Sequence, residues 1–251
     1  MTTSTPTSPT VRPPLVEPRS RRRAARFAGL SYVALFVLAF FANFFVRERL
    51  VVGGDAAATF ANIAESQTLF RVGLLAFGVI FLLDVAVAGA LHVVFESVSR
   101  HVSLVAAWFR LVYTAFLGVA AIFFFTALEL VGGAEHLAAF TQGAIEGHVT
   151  LAVNAFNYTW LIGLAAFGVH LVLIGYLMVR SGAVSRVLAA ILAVAGAAYV
   201  IDTTAYTLLS NYSDFDGVLL AIVAVPSVVA EFAFAVWLLR GGFDRTATLG
   251  R

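Results

Sequence analysis

Six long apolar runs separated by polar breaks set the pattern of the chain: residues 27–46, 70–95, 103–131, 151–179, 184–209 and 218–239. Each reaches the ~20 residues that a helix needs to cross the hydrocarbon core of a bilayer. Lipid offers no partner to an unpaired backbone group, so helices are the open-ended solution for such runs. The predicted fold class is therefore all-α, a polytopic integral membrane bundle of six transmembrane helices. Between the first two runs, Gly53, Gly54 and Asp55 precede three alanines. That is a turn and an Asp N-cap, and it predicts a short helix that buries Phe60 and Ile63 on one side.

Around this core the chain divides into three parts. Residues 1–24 are rich in Thr, Ser and Pro and end in Arg19, Arg21, Arg22 and Arg23, with Arg26 just beyond. This composition predicts a disordered basic N-terminal tail. The six-helix domain is expected over 25–242, and 243–251 is a short C-terminal tail. Charge followed by an apolar run has the form of a secretory signal. Here the run is too long for a cleavable core, and Val46-Arg47-Glu48-Arg49 follows it in place of a small-residue cleavage site, so it is expected to be an uncleaved first span.

Composition supports this picture. The chain is 61% hydrophobic and 12% charged, and a soluble domain would carry roughly twice that share of charge. The absence of Cys excludes disulfides, thiolate catalysis and thiolate metal sites. All sixteen basic residues are Arg, too few and too scattered beyond the N-terminus for nucleic-acid binding. Their distribution orients the bundle. The N-terminal cluster, Arg100, Arg180, Arg186, Arg240, Arg245 and Arg251 fall on one side. The other side carries Arg47, Arg49 and most of the loop carboxylates. The positive-inside rule places both termini in the cytoplasm and the protein in the cell membrane.

The apolar runs are interrupted by charges, which are expensive in lipid and should face inward with partners. Counting about 1.5 Å per residue, Asp84, Arg110 and Glu231 come to similar depth in the inner half. They predict an intramembrane cluster in which Asp84 and Glu231 are counter-charges to Arg110. Arg71, Glu129 and Asp202 come to similar depth in the outer half. Asn154, Asn157 and Tyr158 share a helical face there, and Tyr206 lies one turn from Asp202. These seven residues are the candidate ligand-binding set. His92 and His170 are expected near the cytoplasmic ends of their spans, where a facing pair would suit a haem or metal; interfacial side chains are the plainer reading. Glu135, His136, Glu146 and His148 match no zinc spacing. No metal or cofactor is otherwise called for. Gly73–Val79 and Gly163–Val169 are nearly identical stretches, a match that the Gly, Ala, Leu and Val content of the chain accounts for; small residues at such places permit close helix packing.

Several stretches together carry a resemblance. They are Gly54-Asp55-Ala56-Ala57-Ala58-Thr59, Phe70-Arg71-Val72-Gly73, Phe109-Arg110-Leu111-Val112, Gly175-Tyr176-Leu177 with Arg180-Ser181-Gly182, and Tyr199-Val200-Ile201-Asp202. Glu231 ahead of the closing Trp237-Leu238-Leu239 completes the set. With these the chain resembles the uncharacterised prokaryotic multi-pass membrane proteins grouped as domain of unknown function 4386, over roughly residues 26–242. Ser185 stands before Arg186 where that pattern has Pro. The resemblance implies a membrane bundle and brings no activity with it.

Three functions are compatible with these residues. The first is a binder or transporter of a small solute or ion that uses an outer-half polar cavity. The second is an intramembrane enzyme or a redox protein using the buried carboxylates or the His pair. The third is a structural or sensory membrane subunit whose ion pairs serve only assembly. The expected partners are the lipid bilayer and a small solute or ion; a homo-oligomer is compatible with the sequence but not specified by it.

Overall fold

A computed structural model describes residues 18–241, all of it helix and connecting turns. Helix α1 (Pro18–Phe40) continues through a π-helical stretch (Phe41–Arg47) into a last turn, α2 (Glu48–Leu50). Then follow α3 (Ala56–Glu65), α4 (Gln67–Phe95), α5 (Arg100–Val131), α6 (Gln142–Ser181), α7 (Arg186–Leu208) and α8 (Asp216–Leu239). Among the described residues, six helices are long and apolar enough to cross a membrane. They are α1 with its continuation, and α4 through α8. The C-terminal tail at 243–251 and most of the N-terminal tail lie outside the described residues.

The basic end of the N-terminal tail differs from the expectation, because α1 already begins at Pro18. Arg19 to Arg23 therefore sit on the helix. Arginine at a helix end can lay its stem along apolar surface and keep the guanidinium in a polar setting. Arg21 does so, its Nε donating to Val94 O at 3.0 Å, near the end of α4.

Each spanning helix turns one stripe of side chains inward, at the i, i+3, i+4 spacing of a helix face. On α1 the stripe is Ala25, Ala28, Tyr32 and Leu35; on α8 it is Val223, Ser227, Ala230, Phe234 and Leu238. The opposite faces expose Leu, Val, Ile and Phe to the surroundings, as suits lipid. The helices pack as a ring in chain order, α1 against α4, α4 against α5, α5 against α6, α6 against α7, α7 against α8, and α8 back against α1. Opposite members are α1 and α6, α4 and α7, and α5 and α8. At one end of the ring, Arg22 and Arg26 of α1 share a cleft with Leu239, Arg240 and Gly241 at the end of α8.

Local signals close the connections. The Asp55 carboxylate accepts from the Ala58 N–H at 2.8 Å and opens α3, which buries Thr59 and Ile63. Gly182 ends α6 in the left-handed region, φ 64°, where a side chain would be strained. Ser185 caps α7 by accepting from the Val187 N–H at 3.3 Å.

Candidate functional site

Arg110 is the centre of the ring's inner half. It lies on α5's buried stripe and is 1% exposed. Nε donates to Asp84 Oδ1 at 3.0 Å, and Nη2 donates to the same oxygen. Nη1 donates to the Tyr32 hydroxyl at 2.7 Å and meets His170 Nε2 at 3.2 Å. The guanidinium also lies over the rings of Tyr32 and Phe167, 5.0 and 5.3 Å from their centroids. His170 Nδ1 lies 2.8 Å from Ala106 O. A carbonyl can only accept, so Nδ1 carries the proton and Nε2 is the lone-pair nitrogen that accepts from Arg110. Four helices, α1, α4, α5 and α6, are thereby fastened to one guanidinium.

Two further polar side chains face this centre from the remaining helices, Tyr199 on α7 and Glu231 on α8. Glu231 lies within electrostatic range of Arg110, Asp84, Tyr32 and Tyr199. Among the described residues it forms no ion pair with Arg110, contrary to the expectation that it is a direct counter-charge. The physical reason is that Nε, Nη1 and Nη2 are already committed to Asp84, Tyr32 and His170. The structure thus brings Asp84 and Arg110 into contact and leaves Glu231 half-buried and unpaired nearby.

The outer set does not converge on one pocket. Arg71 is exposed, donates to Gln67 Oε1 at 3.5 Å, and lines a shallow cleft of about 450 Å³ with Glu129, Phe125 and Leu128. Glu129 is itself 3.5 Å from His136. Asp202 accepts from the Tyr212 hydroxyl at 2.8 Å, and the Tyr206 ring lies tilted against Tyr158 and edge-on to Tyr212, with centroids 5.8 and 4.8 Å away. Asn154 is half-buried. Arg71 and Asp202 stand at matching height, but on α4 and α7, which are opposite members of the ring. Nor do His92 and His170 face each other. Each is engaged with α5, His92 Nδ1 lying 3.0 Å from Ser103 Oγ and His170 with both nitrogens occupied as described.

Asn157 has a different partner, from outside the set expected around it. Arg47 reaches across the ring from the end of the π-helical stretch, and Nη1 donates to Asn157 Oδ1 at 2.7 Å. Its guanidinium lies 5.8 Å from the centroid of Trp160, one turn along α6. The register change that brings Arg47 here involves Asn43. Its Nδ2 donates to Ala39 O at 2.9 Å, the carbonyl that a regular α-helix would pair with Asn43's own N–H. Asn43 Oδ1 and Arg47 Nε are left buried without a partner, and Trp160 Nε1 is buried with only the Tyr113 hydroxyl beside it. Among the described residues Arg47 has no carboxylate within ion-pair distance.

Buried polar atoms are paired as a rule, so each exception calls for a physical reason, such as local strain, a functional role or a bound water or ion. Four buried side-chain polar atoms make no hydrogen bond of ordinary geometry among the described residues; Asn43 Oδ1 and Arg47 Nε stand at the π-helical stretch, while Trp160 Nε1 and Ser227 Oγ lie beside the hydroxyls of Tyr113 and Tyr199. π-helical bulges are themselves frequent at functional sites. Sequence reading places Arg47 in the outer connection, because it follows an apolar run of ordinary span length. Only the wider turn through Phe41–Arg47 carries it inside. Tyr32 was legible in principle, as the one aromatic hydroxyl among the inward residues Ala25, Ala28, Ser31 and Leu35 of α1.

The comparisons fit this architecture. The family described as Domain of unknown function (DUF4386) matches residues 27–242, nearly the whole of the described chain. An uncharacterised protein of Archaeoglobus fulgidus is 32% identical over 163 residues, 65% of this chain and 79% of that protein. No solved structure matches.

Proposed function

The chain belongs to the DUF4386 family, and on that premise we propose that it is a multi-pass protein of the cell membrane, both termini cytoplasmic, that binds or transports a small solute in the outer half of its helix ring. The orientation rests on the arginines. Arg22, Arg26 and Arg240 share one end of the bundle, and the turns carrying Arg100, Arg180 and Arg186 join helices on that same side in an up-and-down ring. A surplus of arginine marks the cytoplasmic face.

The observation that carries the reading is the group around Arg47. A guanidinium without a counter-ion among the described residues, its buried Nε free while Nη1 holds Asn157, lies over the indole of Trp160 and suits a small solute bearing a carboxylate or comparable anion, with Asn43 Oδ1 left to accept from a donor of that solute. Burying such groups empty costs about 1–3 kcal/mol each, and a ligand that satisfies them recovers that energy. Arg71, Glu129, Asn154, Tyr158, Asp202 and Tyr206 then belong to the surrounding outer surface, with Asn157 holding Arg47 in place.

Thermal unfolding of the purified protein in detergent, against small carboxylates, amino acids and inorganic anions at fixed ionic strength, tests this. A ligand at ~100-fold above its Kd should raise the midpoint by several degrees, and Arg47→Gln should remove the rise while leaving the unliganded midpoint near that of the parent. A flat response to every compound in the panel would end the proposal.

A specific observation favours a second reading for the inner half. The Arg110 centre is fully bonded to its own helices, which is what a purely structural or sensory subunit requires. On this reading the centre is a fastener and Arg47 the site, so substitutions at Arg110 change folding and substitutions at Arg47 change binding.

A further inference from the structure

We propose that the cleft between the ends of α1 and α8 holds the phosphate of a net-anionic phospholipid at the membrane surface. Three arginines, Arg22, Arg26 and Arg240, line it together with Leu239 and Gly241, around a volume of about 110 Å³. One water takes up roughly 30 Å³, so the cleft has room for a single phosphate group. The proposal needs a bilayer around the bundle but does not depend on a ligand at Arg47.

The sequence builds this cleft from one helix face and one helix end. Gly29, Arg26 and Arg22 succeed one another at helical spacing, so they share the side of α1 turned to α8. Gly29 lets the two helices meet, since a Cβ added there would lie 2.8 Å from Leu239 Cγ and 3.1 Å from the Ala235 carbonyl oxygen. That contact sets the end of α8 beside the arginine-bearing turns of α1. The helix stops there, with the Arg240 N–H donating to Val236 O at 3.0 Å and Gly241 in the left-handed region at φ 64°. Below Arg26, four and seven residues on, Leu30 and Val33 are 63% and 39% exposed, and the exposed rings of Phe36 and Phe232 lie 6.5 Å apart across the same two helices. A headgroup held at the arginines therefore has an apolar lane beneath it for its acyl chains.

Guanidinium groups match phosphate oxygens in bidentate geometry, and basic pockets between spanning helices are where anionic headgroups bind. Among the described residues that line the cleft there is no Asp or Glu. A choline or ethanolamine headgroup would bring an ammonium against three guanidiniums with no carboxylate to receive it. The cleft therefore selects a headgroup whose phosphate charge is not offset. Arg180, expected on the same side of the membrane, is placed differently. Its Nη1 donates to the Tyr176 hydroxyl at 2.9 Å and its guanidinium lies 5.8 Å from that ring's centroid, so it serves as a control for surface charge alone.

The test uses the full chain in a non-ionic detergent, titrated with phosphatidylglycerol or with phosphatidylcholine of the same acyl chains, and counts bound lipid by native mass spectrometry. The parent should retain phosphatidylglycerol saturably and bind phosphatidylcholine at least about tenfold more weakly. Arg26 and Arg240 are exposed, so Arg26→Gln and Arg240→Gln should fold as the parent does, and each should weaken phosphatidylglycerol about fivefold. The double variant should no longer distinguish the two lipids. Arg180→Gln should bind phosphatidylglycerol like the parent, and so should Arg47→Gln, which keeps this site and the Arg47 site separately readable. Equal retention of both lipids by the parent would overturn the proposal, and that comparison needs no variant to fold. An equal loss in Arg180→Gln would overturn it too, by showing a general effect of surface charge. Displacement of the lipid by inorganic phosphate at matched concentration and ionic strength would also overturn it, by making free phosphate the ligand.

Discussion

Arg110 donates through two of its nitrogens, Nε and Nη2, to a single oxygen of Asp84, Oδ1. Both residues are almost wholly enclosed, at 1% and 2% exposure, so the pair joins α4 to α5 without help from solvent. Removing one partner of such a pair strands the other charge and costs about 3–5 kcal/mol, whereas replacing both with apolar residues is often close to neutral. Asp84→Leu and Arg110→Leu should each depress folded yield and resistance to denaturant severely. The double variant should recover most of the loss, although Tyr32 and His170 lose their common partner in it. Additive single-variant losses in a double-mutant cycle would count against a coupled pair.

His170 supplies a spectroscopic check on the same centre. Its Nδ1 sits against a backbone carbonyl and its Nε2 against a guanidinium that can only donate. Nitrogen NMR of ring-labelled protein should therefore show the Nδ1–H tautomer at His170. In Arg110→Leu the Nε2 nitrogen loses its donor, and its resonance should move while that of Nδ1 holds. An Nε2–H tautomer in the parent protein would contradict the arrangement of the whole inner half.

Height along the membrane normal was legible in the sequence, and position around the ring was not. Counting residues from opposite ends placed Asp84 and Arg110 at one level, and adjacent helices bring them together. The same count placed Glu231 level with them, but α8 stands opposite α5 and the donors of Arg110 are taken up on its nearer sides. Arg71 and Asp202 likewise match in height and stand on opposite helices. Asn157 was legible as an inward polar residue, whereas its partner Arg47 was hidden. A seven-residue change from α to π winding, with Asn43 bonding back to Ala39, is a tertiary choice that no periodicity in Phe27 to Arg47 announces.

Close approach of α6 and α7 depends on two glycines. A Cβ added to Gly168 would collide with the Gly196 carbonyl oxygen, and one added to Gly196 with that of Gly168. Without a strong hydrophobic drive between helices in lipid, such close contact is a main source of association. Gly168→Ala and Gly196→Ala should each lower the unfolding midpoint by several degrees, through separation of α7 from α6. Gly89 is the internal control, since a Cβ there meets nothing within 4 Å. Gly89→Ala should be neutral or stabilise by about 0.5–1 kcal/mol, as expected for an exposed helical glycine. Equal losses at all three positions would show that the glycines act through backbone freedom and not through contact.

The unpaired atoms at Arg47 predict opposite effects on stability and on binding. Asn43 Oδ1 is buried without a partner and Trp160 Nε1 is buried with only the Tyr113 hydroxyl beside it, so in the unliganded protein each lowers stability, by about 1–3 kcal/mol where no bond forms. Trp160→Phe removes the indole N–H but keeps an aromatic ring against Phe77 and Phe156, now 6.3 and 6.1 Å from it. The loss of ring area offsets part of the gain, and the unliganded midpoint should stay level or rise. Asn43→Leu removes the orphaned oxygen along with the bond to Ala39 O, so it should favour regular α winding and withdraw Arg47 from Asn157. Both variants should bind a ligand of the Arg47 site at least tenfold more weakly than the parent, the usual opposition between a stable and a functional site. Calorimetric titration beside thermal unfolding checks the two effects together. If either variant lost stability and kept full affinity, the unpaired atoms would be filled by ordinary hydration and the site would lie elsewhere.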